Sequence, residues 1–513
     1  MVNSTFSVLS PVEARLRPLL PSELSEALWP EPNRSTLTRT YEHLRTLRRM
    51  LHDYVPRQVS ERPPQPGQIR YEWQEGTLMF TDLAGFTRLT EAHAVRGRSG
   101  AEALLKMLNA YFAGIIEIIS KAGGDLLEFT GDALLVQFPP SPKLNHTVQA
   151  IRAGLRMQRA MQRFAQIDTD QGTYSLQMRV GLHCGRFLTA DIGTAMRMEH
   201  ILMGSAVQIA KQAEGSGAVG KVCLTRAAQQ RVEGEFRFVS GKPGYSFVVD
   251  DLSDEYLGEY DIVPPTRRMA ANVLWDRSIE SLAEEITKEV NHIEPLASYL
   301  PASTLHLVVE STTQRQIPPD FPSITVVFVN LLGLAEMVDQ ASVGEEREVV
   351  SSFSQVTALM NTAVEKRGGV LKKVTYHLTG SDLMLLFGIP EPHEDDSLRA
   401  ADTALAVQEI VNNLPPISVG GKPIKVDCQI GIARGAVFAA EVGEPHGRRE
   451  FNILGDPVNT AARLMNLARY NQILLTGGVY NEIAHHFECE SFGAVSLRGK
   501  MIPIQVFGLR GKR

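Results

Sequence analysis

The sequence predicts an α+β protein that contains the same βαββαβ domain twice in tandem. Two observations support this fold class. Four short motifs recur in the same order about 250 residues apart, and each copy alternates β-rich runs with runs of helical periodicity. The chain has 513 residues, 43% of them hydrophobic and 21% charged, which is typical of folded globular domains with cores of their own.

The internal repeat organises the whole chain. Its landmarks begin at Phe80, Thr130, Gly181 and Gly204 in the first copy, and at Phe328, Thr379, Gly431 and Gly455 in the second. The distance between paired landmarks stays between 248 and 251 residues, far longer than the unit of a solenoid. A tandem duplication of one domain is therefore predicted.

The elements of the first copy follow in a regular order. The predicted elements are a strand at 77–82, a helix through 101–119 ended by Gly123-Gly124, two hairpin strands at 126–129 and 133–138, a helix at 148–164 and a strand at 176–182. This order is the ferredoxin-like βαββαβ pattern. Residues 76–253 are accordingly predicted as the first domain and 322–513 as the second.

Two segments lie outside the repeat. Residues 1–75 are predicted to be an N-terminal helical extension, because Tyr41, Leu44, Leu47, Leu51 and Tyr54 form one apolar stripe. That stripe fits a helix packed on its own domain better than a short coiled coil. Residues 254–321 hold several prolines, lack the domain pattern and are predicted to be the interdomain linker.

Composition limits the partners. The 52 Lys and Arg residues against 58 Asp and Glu give a net charge of −6, so nucleic acid is not expected as a partner. The four cysteines form no CxxC pair, which argues against a zinc site. No apolar run reaches the ~18 residues of a membrane span, and the N-terminus does not resemble a signal peptide. We therefore expect no transmembrane segment and a cytoplasmic location.

Two carboxylates of the first copy could converge on a cation. Asp82 ends the first strand and Asp132 lies at the tip of the neighbouring hairpin, so the topology places them side by side. Hard divalent cations prefer such oxygen ligands and leave room for substrate phosphates. Taken singly, each is as well explained as a helix cap or a turn residue. The second copy has Asn330 and Ser381 at these positions, and Asp382 is expected to face away from the site.

The second copy has the reverse pattern. Asp456-Pro457 predicts a helix start, with Asp at the N-cap and Pro at N1. Asn459 and Arg463 follow at i and i+4 on one face of that helix. The first copy has Gln208 and Gln212 there, so it lacks the guanidinium. Complementary halves of this kind predict a single working site between the two domains.

These motifs resemble those of a known family. The segments 80–87, 130–135 and 454–463 resemble the class III nucleotidyl cyclases, and the tandem order resembles the soluble adenylyl cyclases among them. The resemblance covers roughly 77–250 and 322–510. It implies a head-to-tail pseudo-heterodimer of two cyclase domains, formed by intramolecular domain pairing, that converts ATP to 3′,5′-cyclic AMP and pyrophosphate.

The resemblance also implies roles for individual residues. Asp82, Asp132 and the main chain of Leu83 would hold two Mg²⁺ or Mn²⁺ ions. Main-chain N–H groups through Gly85, Phe86 and Thr87 would bind phosphates, with Lys500 as a weaker candidate for the triphosphate. Arg463 would stabilise charge at the α-phosphate, and Asn459 would position the ribose.

Base recognition rests on two further positions. Lys373 lies four residues after Gly369, where the family has an adenine-recognising lysine, and Glu128 is its counterpart in the first copy. Asn452 stands where adenylyl cyclases usually have Thr or Asp. ATP is the preferred substrate, because Lys373 can donate to adenine. GTP or dual specificity stays open, because the Asn452 amide can present either a donor or an acceptor to the base. A catalytically inactive, nucleotide-binding regulatory protein is the alternative from another functional class.

Overall fold

The computed structural model describes residues 9–30, 32–142, 144–169, 172–258, 278–314, 316–444, 447–497, 500 and 502–513. Within these ranges the chain forms two sheet-bearing halves, each built from the predicted succession of strands and helices.

The first half is built on an eight-stranded sheet. The strands are β1 Arg70–Ala84, β2 Asp125–Thr130, β3 Ala133–Phe138, β4 Ile167–Thr169, β5 Gly172–Tyr174, β6 Gln177–Gly193, β7 Met198–Met203, β8 Val222–Thr225, β9 Phe238–Ser240 and β10 Tyr245–Val248. The sheet order is β2-β3-β1-β6-β8-β10-β9, with β7 paired to the far end of β6, while β4 and β5 form a separate hairpin. β1 lies antiparallel between β3 and β6, which places Asp82 at the centre of the sheet.

The second half repeats this topology. Its strands are β11 Ser323–Leu332, β12 Val370–His377, β13 Gly380–Phe387, β14 Ile417–Val419, β15 Lys422–Ile424, β16 Asp427–Ala436, β17 Phe438–Gly443, β18 Arg449–Leu454, β19 Gln472–Thr476, β20 Phe487–Val495 and β21 Ile504–Lys512. The order β12-β13-β11-β16-β19-β21-β20 matches the first sheet strand for strand. The duplicated α+β fold predicted from the repeats is thus present in both halves.

Helices cover one face of each sheet. In the first half they are Phe86–Ala94, Gly97–Lys121, His146–Ala160, Ser205–Ser216, Arg226–Gln230 and Asp254–Leu257, with a 3₁₀ turn at Met161–Phe164. In the second half they are Glu345–Glu365, Asp396–Asn412, Asp456–Leu467 and Gly477–Ile483, with a 3₁₀ turn at Ala335–Gln340. Their apolar faces pack on the sheets because those side chains recur at helical spacing.

The longest helix of the first half is also its most apolar. Gly97–Lys121 is long and apolar enough, by length and composition, to cross a membrane. In the structure its apolar side, including Leu104, Leu108 and Phe112, is fully buried in the first core. The helix therefore serves as a core helix of this domain, which accounts for its composition.

The N-terminal segment and the connecting segment pack together. The N-terminal helices are Glu13–Leu16, Ser22–Leu28, Arg34–Tyr54 and Arg57–Glu61, with a 3₁₀ turn at Arg17–Leu19. The connection contributes Ile279–Ala297 and Ala302–Glu310, and residues 259–277 of the predicted linker lie outside the described residues. The apolar stripe of Arg34–Tyr54 shares one core with Ile279–Ala297 and with the interface side of the second sheet. The helix is packed, and its partners are the connecting segment and the second half, which lie outside the N-terminal segment.

Each half also inserts a β-hairpin into the other. Leu188, Ala190 and Ile201 of the β6–β7 hairpin belong to the core of the second half. Phe438 and Val442 of the β17–β18 hairpin belong to the core of the first half. This exchange brings the open faces of β1–β3 and β11–β13 against each other, and the candidate site lies between them.

Candidate active site

The two predicted carboxylates come together in the first half. Asp82 lies near the end of β1, and Asp132 lies in the two-residue turn between β2 and β3, where Gly131 adopts a positive φ of 70°. Burial and the nearby charge of Asp82 raise the pKa of the Asp132 carboxyl to about 7. Repulsion of this kind is what a shared cation would relieve.

This donor set fits a cation that also binds substrate. No group of three or more acidic, His or Cys side chains able to hold a metal occurs in the described parts of the chain. The carboxylate pair would therefore need main-chain oxygen, water or phosphate oxygens to complete an octahedral shell. Leu83 can offer only its main-chain carbonyl oxygen, because its side chain has no ligand atom and is buried in the first core.

An arginine that the sequence analysis missed lies beside Asp82. Arg179 faces Asp82 in the register of β1 and β6, and the two form an ion pair. Arg179 also lies 3.2 Å from Glu214, whose other oxygen is 2.8 Å from Lys211 Nζ. Only the strand register, which sequence alone does not provide, would have identified this partner.

The turn after Asp82 leads directly into a helix. Gly85 is the N-cap residue of Phe86–Ala94 with a φ of 95°, and a Cβ there would lie 2.3 Å from the carbonyl oxygen of Ser175. Glycine is therefore required at this position. Phe86 and Thr87, the first two helical residues, line the cavity described below. Exposed N–H groups at a helix start are a favourable environment for phosphate.

The predicted Asn/Arg helix lies across the cavity in the second half. Its N-cap is Gly455, so Asp456 and Pro457 stand one position further into the helix than predicted. The Asp456 carboxylate pairs with Lys500 Nζ instead of capping the helix, so Lys500 is engaged in an ion pair. Asn459 lines the cavity, and Arg463 follows one turn later, half-buried and without a hydrogen bond or ion pair to the described residues.

The two base-recognition candidates are buried at the interface. Lys373 Nζ donates to the Phe129 carbonyl and lies 3.1 Å from Glu450 and 3.8 Å from Glu128. Among the described residues, hydrogen bonds to Phe129 and Glu450 use two of its three N–H donors. Asn452 Nδ2 donates to the Gly131 carbonyl over 2.6 Å, which ties the second half to the turn that carries Asp132.

A cavity of about 190 Å³ lies between the two halves and is lined by some of these groups. Its lining from the first half is Phe86, Thr87, Thr130, Gly131 and Asp132, and from the second half Phe328, Lys373, Thr375, Tyr376, Asp382, Met384, Leu454, Gly455, Val458, Asn459 and Ala462. The site is thus shared by both halves, and it brings Asp132, Lys373 and Asn459 to one space.

Asp382 lines this cavity, so the expectation that it faces away is wrong. β12 pairs with β13 such that Thr375 lies opposite Asp382 and Lys373 lies opposite Met384. Residues directly opposite in an antiparallel pair share a face of the sheet. All four therefore point to the interface. The residue of the first half equivalent to Asp382 is Ala133, which lies opposite Thr130.

The pseudo-symmetric mirror cleft has a different character. It includes Gln208, the counterpart of Asn459, together with Gly333 and Glu336. Glu336 Oε1 accepts from the Gly333 N–H over 2.6 Å, and Asp339 Oδ2 accepts from the Ser205 N–H at the start of Ser205–Ser216. Gly333 is the counterpart of Gly85, so a carboxylate of the chain occupies an N–H group that corresponds to a phosphate-binding candidate of the first half.

Comparison with known proteins agrees with this arrangement. Residues 70–247 and 318–510 match the adenylate and guanylate cyclase catalytic domain. Adenylate cyclase type 10 of Oryctolagus cuniculus is 25% identical over 421 residues, which are 78% of this chain and 24% of that protein. The corresponding protein of Mus musculus is 26% identical over 417 residues, covering 76% and 24%. The chain thus spans about a quarter of the length of these relatives.

A solved structure shares the fold along most of the chain. It is a class III adenylyl cyclase-like ATP-binding protein from Pseudomonas aeruginosa, with a TM-score of 0.54 and 14% identity, covering 85% of this chain and 92% of that one. At this identity the similarity concerns the fold alone. With both repeats matched over most of their length, the chain belongs to the adenylate and guanylate cyclase catalytic domain family and carries that domain twice.

Proposed function

We propose that this protein is an adenylyl cyclase that converts ATP to 3′,5′-cyclic AMP and pyrophosphate at one site between its two domains. The observation that carries the proposal is that Asp132 of the first half and Asn459 of the second line the same cavity. Neither half has both groups, because the equivalent residues are Ser381 and Gln208. The two domains then act as a head-to-tail pseudo-heterodimer within one chain.

In this proposal the first half holds the phosphate end of the substrate. Asp82, Asp132 and the Leu83 carbonyl bind two Mg²⁺ or Mn²⁺ ions, which supply activation of the ribose 3′-hydroxyl and neutralisation of the triphosphate. Binding requires that Asp82 exchange its ion pair with Arg179 for the metal. The main-chain N–H groups at Gly85, Phe86 and Thr87 hold phosphate oxygens at the helix start.

The second half orients the nucleotide and stabilises charge. Asn459 hydrogen-bonds the ribose, and Arg463 donates to the α-phosphate as negative charge develops there. Lys500 releases Asp456 to reach the triphosphate. Lys373 uses its third N–H donor on adenine N1, where guanine has no acceptor. Asn452 holds the turn that carries Asp132 through its hydrogen bond to the Gly131 carbonyl. The protein acts in the cytoplasm without nucleic acid as a partner.

A regulatory, non-catalytic nucleotide-binding protein is the second candidate. The ion pairs of Asp82 with Arg179 and of Lys373 with Glu450 satisfy two proposed site residues without substrate. The Pseudomonas aeruginosa protein of related fold is itself described as an ATP-binding protein. Both candidates place ATP in the same cavity and differ in whether turnover follows.

The deciding experiment incubates the purified protein with ATP or GTP and with Mg²⁺ or Mn²⁺, and measures the cyclic product. We expect cyclic AMP from ATP and little cyclic GMP. Asp132→Ala should remove turnover, whereas Ser381→Ala, its matched control in the other domain, should leave it. ATP binding without any cyclic product would favour the regulatory candidate. An Asp132→Ala protein that keeps more than about a tenth of the rate would contradict the metal assignment.

A further inference from the structure

One buried acid in the cavity has an unsatisfied oxygen. Asp382 is only 7% exposed, and its Oδ1 has no hydrogen-bond partner among the described residues. No described cation forms an ion pair with it, and burial together with the charge of Glu128 raises the pKa of its carboxyl well above the ordinary value. A buried acid with an unsatisfied oxygen is costly, so its place in the cavity calls for a functional explanation.

The surroundings of Asp382 suit a flat, uncharged ring. Asp382 on β13 lies opposite Asn330 on β11. Two residues further along each strand, on the same face, Met384 lies opposite Phe328. Tyr376 also lines the cavity, and its hydroxyl has no hydrogen-bond partner in the described parts of the chain. Apolar walls with a few convergent polar groups are typical of base-binding pockets. The phosphate end, at Asp132 and the start of Phe86–Ala94, is built from the other half of the chain.

Building on the proposed nucleotide site, we propose that the Asp382 carboxyl hydrogen-bonds the edge of the purine base and favours adenine over guanine. A carboxylic acid offers one donor and one acceptor side by side. Adenine would offer its 6-amino donor to the acceptor oxygen of Asp382, while its N1 accepts from Lys373 as in the proposed function. Guanine has the O6 acceptor in place of the 6-amino group and an N1–H that would face the Lys373 donors, so it cannot make this pair of contacts. The first half has Ala133 at the equivalent position, so this contact is specific to one cleft.

The test measures binding to the full-length protein and does not depend on turnover. The probes are 3′-deoxy-ATP and 3′-deoxy-GTP, which lack the attacking hydroxyl, and inorganic tripolyphosphate, each titrated calorimetrically with Mg²⁺. The variants are Asp382→Ala, Asp382→Asn and the neighbouring control Ser381→Ala. Asn is the informative replacement, because its amide presents one donor and one acceptor in nearly the shape of the acid.

We expect Asp382→Ala to weaken 3′-deoxy-ATP binding by roughly tenfold or more and to reduce the preference over 3′-deoxy-GTP. Asp382→Asn should stay within about threefold of the parent protein, Ser381→Ala should match the parent, and tripolyphosphate should bind equally to all variants. Unchanged affinity and base preference in Asp382→Ala would overturn the proposal. So would an equal loss in Asp382→Asn, or an equal loss for tripolyphosphate.

Failure of this inference and failure of the proposed function are distinguishable. If the parent protein binds 3′-deoxy-ATP with the predicted effects of Asp382 but makes no cyclic product from ATP, only the catalytic proposal fails. If it makes cyclic AMP and Asp382→Ala keeps the base preference, only the role of Asp382 fails. A parent protein that binds no nucleotide overturns both.

Discussion

At the scale of single residues, the candidate site is an assembly of groups that are individually ordinary. Asp132 could be a turn residue, and Asn459 could be a solvated helix residue, if each were seen alone. Both line one cavity, where burial and then the nearby charge of Asp82 raise the pKa of the Asp132 carboxyl. Residue-scale tests should therefore compare each group with its counterpart in the other domain.

The first such prediction concerns Arg463. Arg463→Ala should lower kcat by roughly 10²–10³, the scale for losing one preorganised donor to transition-state charge. Gln212→Ala, the mirror position, should have little effect because no carboxylate pair faces it. Steady-state kinetics on both variants check this. Comparable losses in the two variants would be inconsistent with a single working site.

The second residue-scale prediction concerns stability and pH. His183 is buried in β6 with Nδ1 2.9 Å from Thr225 Oγ1, and burial lowers its pKa to about 4. A histidine with a lowered folded pKa binds fewer protons folded than unfolded. Above the unfolded pKa near 6.5, His183 therefore does not change the free energy of unfolding. As the pH falls from there toward 4, His183 lowers the free energy of unfolding by up to about 3 kcal/mol.

Urea unfolding at pH 7 and at pH 5 tests this assignment. In His183→Gln the free energy of unfolding should decrease less between pH 7 and pH 5 than in the parent protein, although the variant is less stable at both pH values. His306→Gln, at an exposed histidine, is the matched control and should keep the parental pH dependence. An unchanged pH dependence in His183→Gln would refute the role given to His183.

At the scale of elements, the β17–β18 hairpin connects the N-terminal segment to the site. Tyr54, which ends the helix Arg34–Tyr54, donates to Glu441 over 2.6 Å, and Arg449 bridges Glu441 and Asp53. The same hairpin carries Glu450 and Asn452. The N-terminal helix thus supports residues that contact Lys373 and the Asp132 turn.

Removing the tyrosine hydroxyl should loosen this connection. Tyr54→Phe leaves the buried Glu441 with one donor fewer and should lower the free energy of unfolding by about 1–3 kcal/mol. Tyr470→Phe, at a tyrosine that is 68% exposed, should change it by less than about 0.5 kcal/mol. Chemical denaturation of the two variants provides the comparison. Equal effects would mean that the Tyr54–Glu441 bond is not part of the stability of the fold.

At the scale of the whole molecule, the two halves are interlocked. Each contributes a hairpin to the core of the other, and the N-terminal helices share a core with the connection and the second half. The site depends on this interlocking because its two sets of groups belong to different domains. Association of the halves is therefore a condition for the proposed activity.

The whole-molecule prediction is that two fragments reconstitute the protein. Residues 1–258 and 278–513, produced together, should co-purify and make cyclic AMP, because the buried cores hold them together without the connection. Dilution should lower activity, since the tether no longer supplies effective concentration. Each fragment alone should be inactive, and turnover by either one would contradict the complementary-halves proposal.

Much of this protein could be read from the sequence because repetition and periodicity are local properties. The duplicated α+β fold, the Asp125–Phe138 hairpin region and the membership of the cyclase family were predicted from motifs and are confirmed. Asp82, Asp132, Asn459 and Arg463 were identified by comparing the two copies. Their roles in catalysis stay predictions. The sequence by itself thus determined the duplicated fold and the family, and it identified the residues in which the two copies differ.

Only the tertiary structure decided which groups meet. Arg179 beside Asp82 and Asp382 in the cavity depend on strand register, and the Asp339 carboxylate on the Ser205 N–H depends on the packing of distant segments. A one-residue difference in register reverses the face that a side chain occupies, so counting from Ser381 placed Asp382 on the wrong side. The packing of the N-terminal helix on Ile279–Ala297 was likewise beyond prediction, because an apolar stripe specifies burial but does not specify a partner.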